Sequence, residues 1–297
     1  MNLPVLCVFL FDGCRNENYI VRIMKKNHEI INIKSPAIEI LICRRDIIDV
    51  WHNKNQHTPY WRLYRPYNDY GRIRVNHETV QLHRDEVYLI APETYFDTMA
   101  DGGSLEKFYI HFLVDGVFTN CSNFYYKLPK SKLILELIEI ASDRLLNRIL
   151  DYHLPLNCGA IINAALDLLP GQYLRTFENI DYSLIKVWHL IQDNPTKSYS
   201  NMELANIAKM SESTFNHKFN SSFGISPLQF ALEQKIRKAS LLLLNSQLSI
   251  AEIAEQCGFC DRYYFTRIFT KHRQISPKAF RLKEMQENAR PPRRKSE

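Results

Sequence analysis

The chain has 297 residues, a formal net charge of +6 and 45% hydrophobic residues, which is enough for two domains with cores of their own. No stretch approaches the roughly 18 apolar residues that cross a bilayer, and the apolar start, Leu3–Phe11, lacks the flanks of a signal peptide. The 7 cysteines have no repeating spacing, which argues against a disulfide framework. We therefore predict a cytoplasmic protein without a membrane partner.

Positive charge is concentrated in the second half of the chain. Residues 183–297 hold 18 Lys and Arg against 10 Asp and Glu, whereas residues 1–182 hold 20 against 22. This asymmetry predicts a polyanionic partner for one end of the molecule only. The basic tail, 286–297, is expected to be solvated and without fixed structure.

Short strands are predicted over residues 37–128. Residues 71–82 alternate between apolar and polar side chains on both sides of a turn at Asn76 and His77, which is typical of a hairpin. Further strands are predicted at 86–91 and 108–112, and several short strands of this kind indicate a barrel or a sandwich. The preceding segment, 1–36, is left open between a buried first strand and an over-long start with initiation at Met24.

Two helices are predicted over 129–180. Apolar residues from Ile134 to Ile149 recur at helical spacing, and a second helix runs from about Leu156 to Leu169, before Pro170 and Gly171. Their apolar stripes fit two interpretations equally, a homodimer interface or packing against the strands.

An internal repeat dominates the region from 181 to 285. The tripeptide Ile225–Pro227 recurs at Ile275–Pro277, and the pair Phe215 and Phe219 recurs at Phe265 and Phe269, both at an offset of fifty residues. Each copy is predicted to be a supporting helix, a tight turn, a second helix capped by Ser211 or Asp261, and a Ser-Pro helix start. This is the pattern of a helix-turn-helix unit.

If the phenylalanines face inward, the second helix of each unit presents a polar outer face. Arg suits guanine, Asn suits adenine, and Ser and Thr suit several base edges, so these faces predict base reading in the major groove of double-stranded DNA. Lys218, Lys271 and Arg273 are predicted to contact phosphates. The predicted DNA-binding residues are Ser213, Asn216, His217, Lys218, Arg262, Tyr263, Thr266, Arg267 and Lys271.

The helix predicted between the two units sets their spacing. Leu228–Asn245 would be about 27 Å long at 1.5 Å per residue. A strut of this length can hold two recognition helices about one DNA turn, roughly 34 Å, apart. One chain would then read two successive major grooves.

These residues resemble the AraC/XylS family of transcription regulators over about 183–283. The resemblance rests on the run from Leu204 to Phe215, on Phe223–Pro227, on Ile250–Ala254, and on the run from Gly258 to Arg281. The chain departs from the family where Gln274 replaces the usual Gly and Tyr263 replaces the usual Ser, which puts the end of that helix and its base preference in doubt. The resemblance implies a two-domain α+β protein, with a cupin-like β-barrel, connecting helices and an all-α domain of two helix-turn-helix units.

The N-terminal resemblance rests on Pro59–Tyr64, Leu89–Pro92 and Phe108–Phe112. It implies a small effector, often a sugar, inside the barrel at 37–128. The cupin metal pattern is absent, so no metal and no other cofactor is implied, and Cys257 and Cys260 are taken as turn residues rather than zinc ligands. The predicted effector-binding residues are His57, Trp61, Arg62, Tyr64 and His111.

The leading hypothesis is a dimeric, ligand-responsive transcription activator, which would also contact RNA polymerase, with no catalytic residues. A cupin-type enzyme or a repair alkyltransferase carrying the same DNA-binding module is the alternative, and it would need clustered metal ligands or an activated cysteine. A non-specific architectural DNA binder is a third possibility, and binding that depended on salt alone would favour it.

Overall fold

The computed structural model describes residues 36–115, 118, 121–149, 152–174 and 180–282. Residues 1–35 of the predicted segment 1–36, residues 283–285 of the predicted region 181–285 and the tail 286–297 therefore lie outside the described residues. No described helix is long and apolar enough to cross a membrane.

Residues 36–128 form a β-domain of two antiparallel sheets. The first sheet has the order β1-β8-β3-β6-β9 and the second has the order β2-β7-β4-β5. A core of aromatic and aliphatic side chains lies between them. The strands are β1 (Ile38–Ile48), β2 (Asn53–Gln56), β3 (Trp61–Pro66), β4 (Gly71–Val75), β5 (Glu78–Gln81), β6 (Tyr88–Ile90), β7 (Phe96–Ala100), β8 (Leu105–Val114) and β9 (Tyr125–Lys127).

The hairpin predicted at 71–82 is formed by β4 and β5. Val75 pairs with Glu78, and the two turn residues between them, Asn76 and His77, have φ values of 48° and 70°. Two consecutive positive φ values match the right-handed twist of the flanking strands. The alternation therefore identified both the strands and their turn.

Two helices cover the outer face of the first sheet. They are α1 (Lys132–Leu146) and α2 (His153–Asp167), followed by a 3₁₀ turn at Gly171–Tyr173. Their buried faces share one core with the outer face of β3. One apolar face of each helix thus packs against the strands. The apolar residues Leu133, Ile140 and Leu156 lie on the other side of the helices and remain exposed.

An all-α domain follows, with two copies of the predicted unit. Ser211 accepts a hydrogen bond from the Thr214 amide at 3.3 Å, so the expected capping residue begins the second helix of the first copy. Asp261 does the same in the second copy. The helices are α3 (Tyr182–Asp193), α4 (Asn201–Ile207), α5 (Glu212–Phe223), α6 (Pro227–Asn245), α7 (Ile250–Gln256) and α8 (Arg262–Arg273), with helical residues again from 277 to 282.

The two copies have separate cores that meet along α6. Phe215 and Phe219 are fully buried in the first core, and Phe265 and Phe269 in the second. Lys235 of α6 donates to the Ser198 hydroxyl at 3.0 Å and to the Gly258 carbonyl at 3.1 Å, which joins the loops of the two copies. The strut predicted between the units is therefore a shared element of both.

Candidate nucleic-acid interface and the contact between the domains

The outer face of α5 is polar and open. Because Phe215 and Phe219 point inward, Ser213 and His217 are exposed and Asn216 is half-buried. Lys218 is exposed as well and lies 3.8 Å from the Asp181 carboxylate, a separation that a nearby phosphate can readily compete with. The face offers hydroxyl, amide and imidazole groups to a groove.

The outer face of α8 carries more charge. The Arg262 guanidinium donates to the Tyr263 hydroxyl at 2.7 Å, and Tyr263 is 71% exposed. Arg267 is exposed and lies over the Tyr264 ring at 5.4 Å. The Tyr264 ring restricts the Arg267 side chain before any DNA is bound, so less side-chain entropy is lost when the guanidinium binds a base. The remaining predicted residues of this face, Thr266 and Lys271, are half-buried and exposed.

The prediction of a phosphate contact from Arg273 is wrong. Its side chain is buried, and its Nε donates to the Ser240 hydroxyl of α6 at 3.0 Å. The Nη atoms pair with the Glu93 carboxylate of the β-domain. Arg273 therefore belongs to the contact between the domains.

Three of the predicted effector residues face the space between the two sheets. Arg62 donates to the Tyr64 hydroxyl at 2.9 Å, and the Tyr64 and His111 rings are 6.3 Å apart. Both His111 ring nitrogens are buried without a hydrogen-bond partner among the described residues. Burial, together with the charges of Arg62 and Lys107, places the pKa of His111 well below its usual value. The imidazole is thus neutral and has hydrogen-bonding capacity to offer.

Trp61 and His57 do not lie in that space, and their predicted place is wrong. Successive residues of a strand point to opposite faces, so Trp61 faces the helices and packs against Phe112 and Phe124, with ring centroids 6.1 and 5.8 Å away. His57 lies at the edge of the β-domain, stacked on Tyr95 at 3.8 Å.

The contact between the domains is a compact cluster of charge. His57 Nε2 is 3.0 Å from the Glu93 carboxylate, which also pairs with Arg273. Burial alone would raise the pKa of Glu93, but the charge of Arg273 and the hydrogen bonds from His57 and Arg273 lower it well below its usual value. Burial lowers the pKa of His57, against the opposing effect of Glu93. The cluster is therefore a carboxylate, a guanidinium and a neutral imidazole, and the Arg237 guanidinium lies close enough to interact with both Glu93 and Arg273.

Sequence reasoning missed Glu93 and Tyr95, which complete this contact. The Tyr95 hydroxyl donates to the His272 carbonyl of α8 at 2.8 Å. One signal was present, because the fifty-residue offset places Arg273 where the first copy has Phe223, which is buried in its own core. A charged residue at a core position of a repeat indicates that something outside the repeat must neutralise it.

A groove of about 620 Å³ also lies between the domains. Its lining combines apolar side chains with two basic and two acidic ones, the latter being Glu39 and Asp115, and the groove was not anticipated from the sequence. The residues along it include Ile38, Val114, Arg237, Lys238, Leu241 and Leu242.

Two copies of a helix-turn-helix, each presenting a polar helix, define the class of tandem helix-turn-helix DNA-binding domains. A family profile described as "Helix-turn-helix domain" matches residues 204–283. The arabinose operon regulatory protein of Escherichia coli (strain K12) is 33% identical over 147 residues, 41% of this chain and 49% of that protein. The transcriptional regulator MtrA of Neisseria gonorrhoeae is 25% identical over 57% of this chain and 56% of that protein.

Similarity to a solved structure extends over both domains. ToxT from Vibrio cholerae O395 has a TM-score of 0.54 and 11% identity, covering 82% of this chain and 97% of that one. A second ToxT structure, described as bound to an unsaturated fatty acid, has a TM-score of 0.50 and 10% identity over 87% of this chain and 97% of that one. These likenesses concern the fold, and the predicted two-domain α+β organisation is confirmed.

The chain is similar to transcription regulators of the AraC/XylS family, and the family profile matches it over residues 204–283. It spans about half or less of the length of the first curated relatives it matches. The relatives named above are regulators of transcription.

Proposed function

We propose that this protein is a sequence-specific DNA-binding regulator of transcription, and an activator. The observation that carries the proposal is the pair of polar faces on α5 and α8, held at the two ends of the α6 strut. Their different chemistry, with a Ser, Asn and His face on α5 and an Arg, Tyr, Thr and Arg face on α8, suits an asymmetric site of two adjacent major grooves. Relatives described as transcriptional activators support the direction of control.

The test is selection of duplexes from a randomised pool with the full-length chain, followed by binding measurements. A regulator of this kind should enrich one asymmetric motif with two half-sites about one helical turn apart. Binding to all duplexes with equal affinity, dependent only on salt, would instead support an architectural DNA binder.

A small effector is proposed to bind between the sheets of the β-domain. Arg62, Tyr64 and His111 support this position, because all three are buried and carry groups that bond to hydroxyl or carboxylate oxygens. A sugar is the effector expected from the resemblance. Binding of sugars and sugar acids, measured by calorimetry with wild type and His111→Phe, tests both the site and the class.

The groove between the domains is a second candidate position for an effector. Its lining is largely apolar, and Arg237 and Lys238 can pair with the carboxylate of an acid with an apolar tail, although Glu39 and Asp115 also line the groove. A fatty acid is bound in one of the similar ToxT structures. Loss of fatty-acid binding in Lys238→Gln, with sugar binding unchanged, would distinguish this groove from the site between the sheets.

The chain is proposed to act without catalysis and as a homodimer in the cytoplasm. Burial raises the pKa of Cys257 to about 11, which disfavours this residue as the nucleophile of a repair or thiol enzyme. The exposed residues Leu133, Ile140 and Leu156 of α1 and α2 support a dimer interface. Analytical ultracentrifugation of Leu133→Asp and Leu156→Asp, which should be monomeric, tests it. RNA polymerase would be the partner of the activator.

A further inference from the structure

The two helix-turn-helix units also touch each other outside α6. The loop between α3 and α4, residues 194–200, belongs to the first unit, and the turn between α7 and α8, residues 257–261, belongs to the second. The backbones of these two segments are in van der Waals contact at Thr196 and Gly258. This contact and the Lys235 side chain that bridges it form a junction between the units.

Lys235 of α6 bonds to both segments at once. Its Nζ donates to the Ser198 hydroxyl at 3.0 Å and to the Gly258 carbonyl at 3.1 Å. The residue is only 9% exposed, and burial lowers the pKa of its ammonium group. A buried ammonium group costs free energy unless its hydrogen bonds are made. The two segments are therefore stabilised at the separation at which both bonds form.

Glycine at position 258 permits the close approach of the two backbones. Gly258 has φ 70°, and a methyl group added to it would overlap the Thr196 carbonyl oxygen. Gly224, at the end of α5, has φ 71° as well, but no atom lies within 4 Å of a methyl group added there. Backbone conformation alone explains Gly224, whereas Gly258 also serves the packing of one unit on the other.

The junction lies close to the start of the second recognition helix. Gly258 precedes Asp261, the capping residue of α8, by three positions. Ser198 precedes Ser200, the capping residue of α4, by two positions, and α4 shares the core of the first unit with α5. The junction thus connects the start of α8 to the helix that supports α5.

The junction adds a second connection to the one that α6 provides. Among the described residues, the helices of the first unit pack chiefly on one another and on α6. Two bodies joined along one helix can still bend and twist relative to each other, because long helices curve. A connection away from the axis of α6 restricts this motion, and with it the relative position of α5 and α8.

We propose that Lys235 is a positioning residue that fixes the spacing between the two DNA half-sites that the chain recognises. This inference rests on the proposed function and names what determines one part of its specificity. One base pair added between the half-sites moves one of them by about 3.4 Å and turns it by about 35°. A rigid pair of units cannot follow this change, whereas a flexible pair can.

The first test compares the selected duplex with duplexes that have one base pair inserted or removed between the half-sites. Wild type should lose about tenfold in affinity on the altered duplexes, as for the loss of one good base contact. Lys235→Met keeps the apolar stem and removes both bonds, so it should bind the selected duplex more weakly and lose only about threefold on the altered ones, because the units are no longer preorganised. Lys235→Arg, which keeps donors at this position, should be closer to wild type.

Two further variants accompany this comparison. Ser198→Ala, at an exposed position, removes one of the two bonds without touching a core, and should change the spacing preference in the same direction as Lys235→Met. The control is Lys238→Met, which removes another lysine of α6, one that lines the groove between the domains, and should keep the wild-type preference.

A duplex with one half-site scrambled separates positioning from general damage to the protein. Wild type and Lys235→Met should bind it alike, because each unit keeps its own core and its own recognition helix. Spacing preferences of Lys235→Met and Ser198→Ala as strong as that of wild type overturn the proposal. An equal loss on every duplex, with a weaker dependence on salt, also overturns it and would make Lys235 a phosphate contact.

The second test compares Gly258→Ala with Gly224→Ala. Both substitutions carry the cost of a positive φ, but only Gly258→Ala also forces the two segments of the junction apart. Gly258→Ala should therefore lose the preference for the selected spacing, and Gly224→Ala should keep it. Equal preferences in the two variants overturn the proposal.

The failure of this inference is distinct from the failure of the proposed function. If wild type enriches no motif with two half-sites, the proposed function is overturned and the inference with it. If wild type enriches such a motif and the junction variants keep its spacing preference, only the inference is overturned.

Discussion

Arg273 at the end of α8 forms a two-pronged ion pair with Glu93, a residue of the loop between β6 and β7, 180 positions earlier in the chain. The pair joins the DNA-binding domain to the β-domain at the end of the more charged recognition helix. Removing one partner of a buried pair leaves an uncompensated charge, which costs more than the pair itself contributes. Arg273 and Glu93 should therefore be studied as a unit.

Arg267→Ala should weaken binding at one half-site of the selected duplex. Loss of a bidentate contact to a base costs about 1–3 kcal/mol at the contacted position. Fluorescence anisotropy with each half-site mutated in turn measures the effect. Equal loss on random DNA would contradict a base-reading role for Arg267.

Lys271→Ala should instead weaken binding to all duplexes alike. A phosphate contact carries no sequence information, and its loss should reduce the dependence of log Kd on log salt by about one. Titrations at several salt concentrations measure the slope. A slope identical to that of wild type would remove Lys271 from the phosphate contacts.

Trp61→Ala should destabilise the β-domain, because Trp61 fills the core beneath α1 and α2 and does not face the effector position. Truncation of a buried tryptophan costs about 3–5 kcal/mol of the free energy of unfolding. Urea denaturation measures it, with Tyr64→Phe as a mild control on the opposite face of the same strand. A fully stable Trp61→Ala variant that no longer bound effector would contradict the observed packing.

Gln274→Gly should stabilise the second helix-turn-helix unit by up to about 1 kcal/mol, because glycine adopts a positive φ without strain. The gain is reduced by loss of the hydrogen bond from the Gln274 side-chain Nε2 to the Lys271 carbonyl. The matched variant Gly224→Ala, at the same position of the first unit with φ 71°, should be destabilised. Thermal unfolding of both variants measures the difference in stability. Changes of the same sign in the two variants would contradict the conclusion that Gln274 and Gly224 occupy equivalent positions with positive φ.

Acidification should weaken the contact between the domains. The pKa values of Glu93 and His57 are both lowered in the folded state, so the unfolded chain binds more protons and stability falls as pH decreases. The loss of stability should begin near pH 6.5, where His57 of the unfolded chain takes up a proton, and continue below about pH 4.3, where Glu93 does so. In the folded protein His57 faces Glu93, Arg273, Tyr95 and His272. The free energy of unfolding of Glu93→Gln, measured as a function of pH, should not show the second decrease, below about pH 4.3. A second decrease as large as in wild type would mean that other carboxyl groups cause it.

The sequence alone determined the tandem helix-turn-helix. Inward phenylalanines at helical spacing, capping residues and Ser-Pro helix starts are local signals that each span only a few residues. The fifty-residue repeat means that each signal occurs twice in the chain. The hairpin at 71–82 was equally local. For the same reason the outward faces of α5 and α8 followed directly from the positions of Phe215, Phe219, Phe265 and Phe269.

Only the tertiary structure determined which face of β3 points to the space between the sheets and which residues the Arg273 side chain contacts. In a strand buried on both faces, alternation no longer separates inside from outside, so Trp61 was assigned to the wrong face. Arg273 looked like a phosphate contact because its sequence neighbours are basic. Its partner Glu93 is distant along the chain, and no local pattern can pair two residues that meet only when two domains come together.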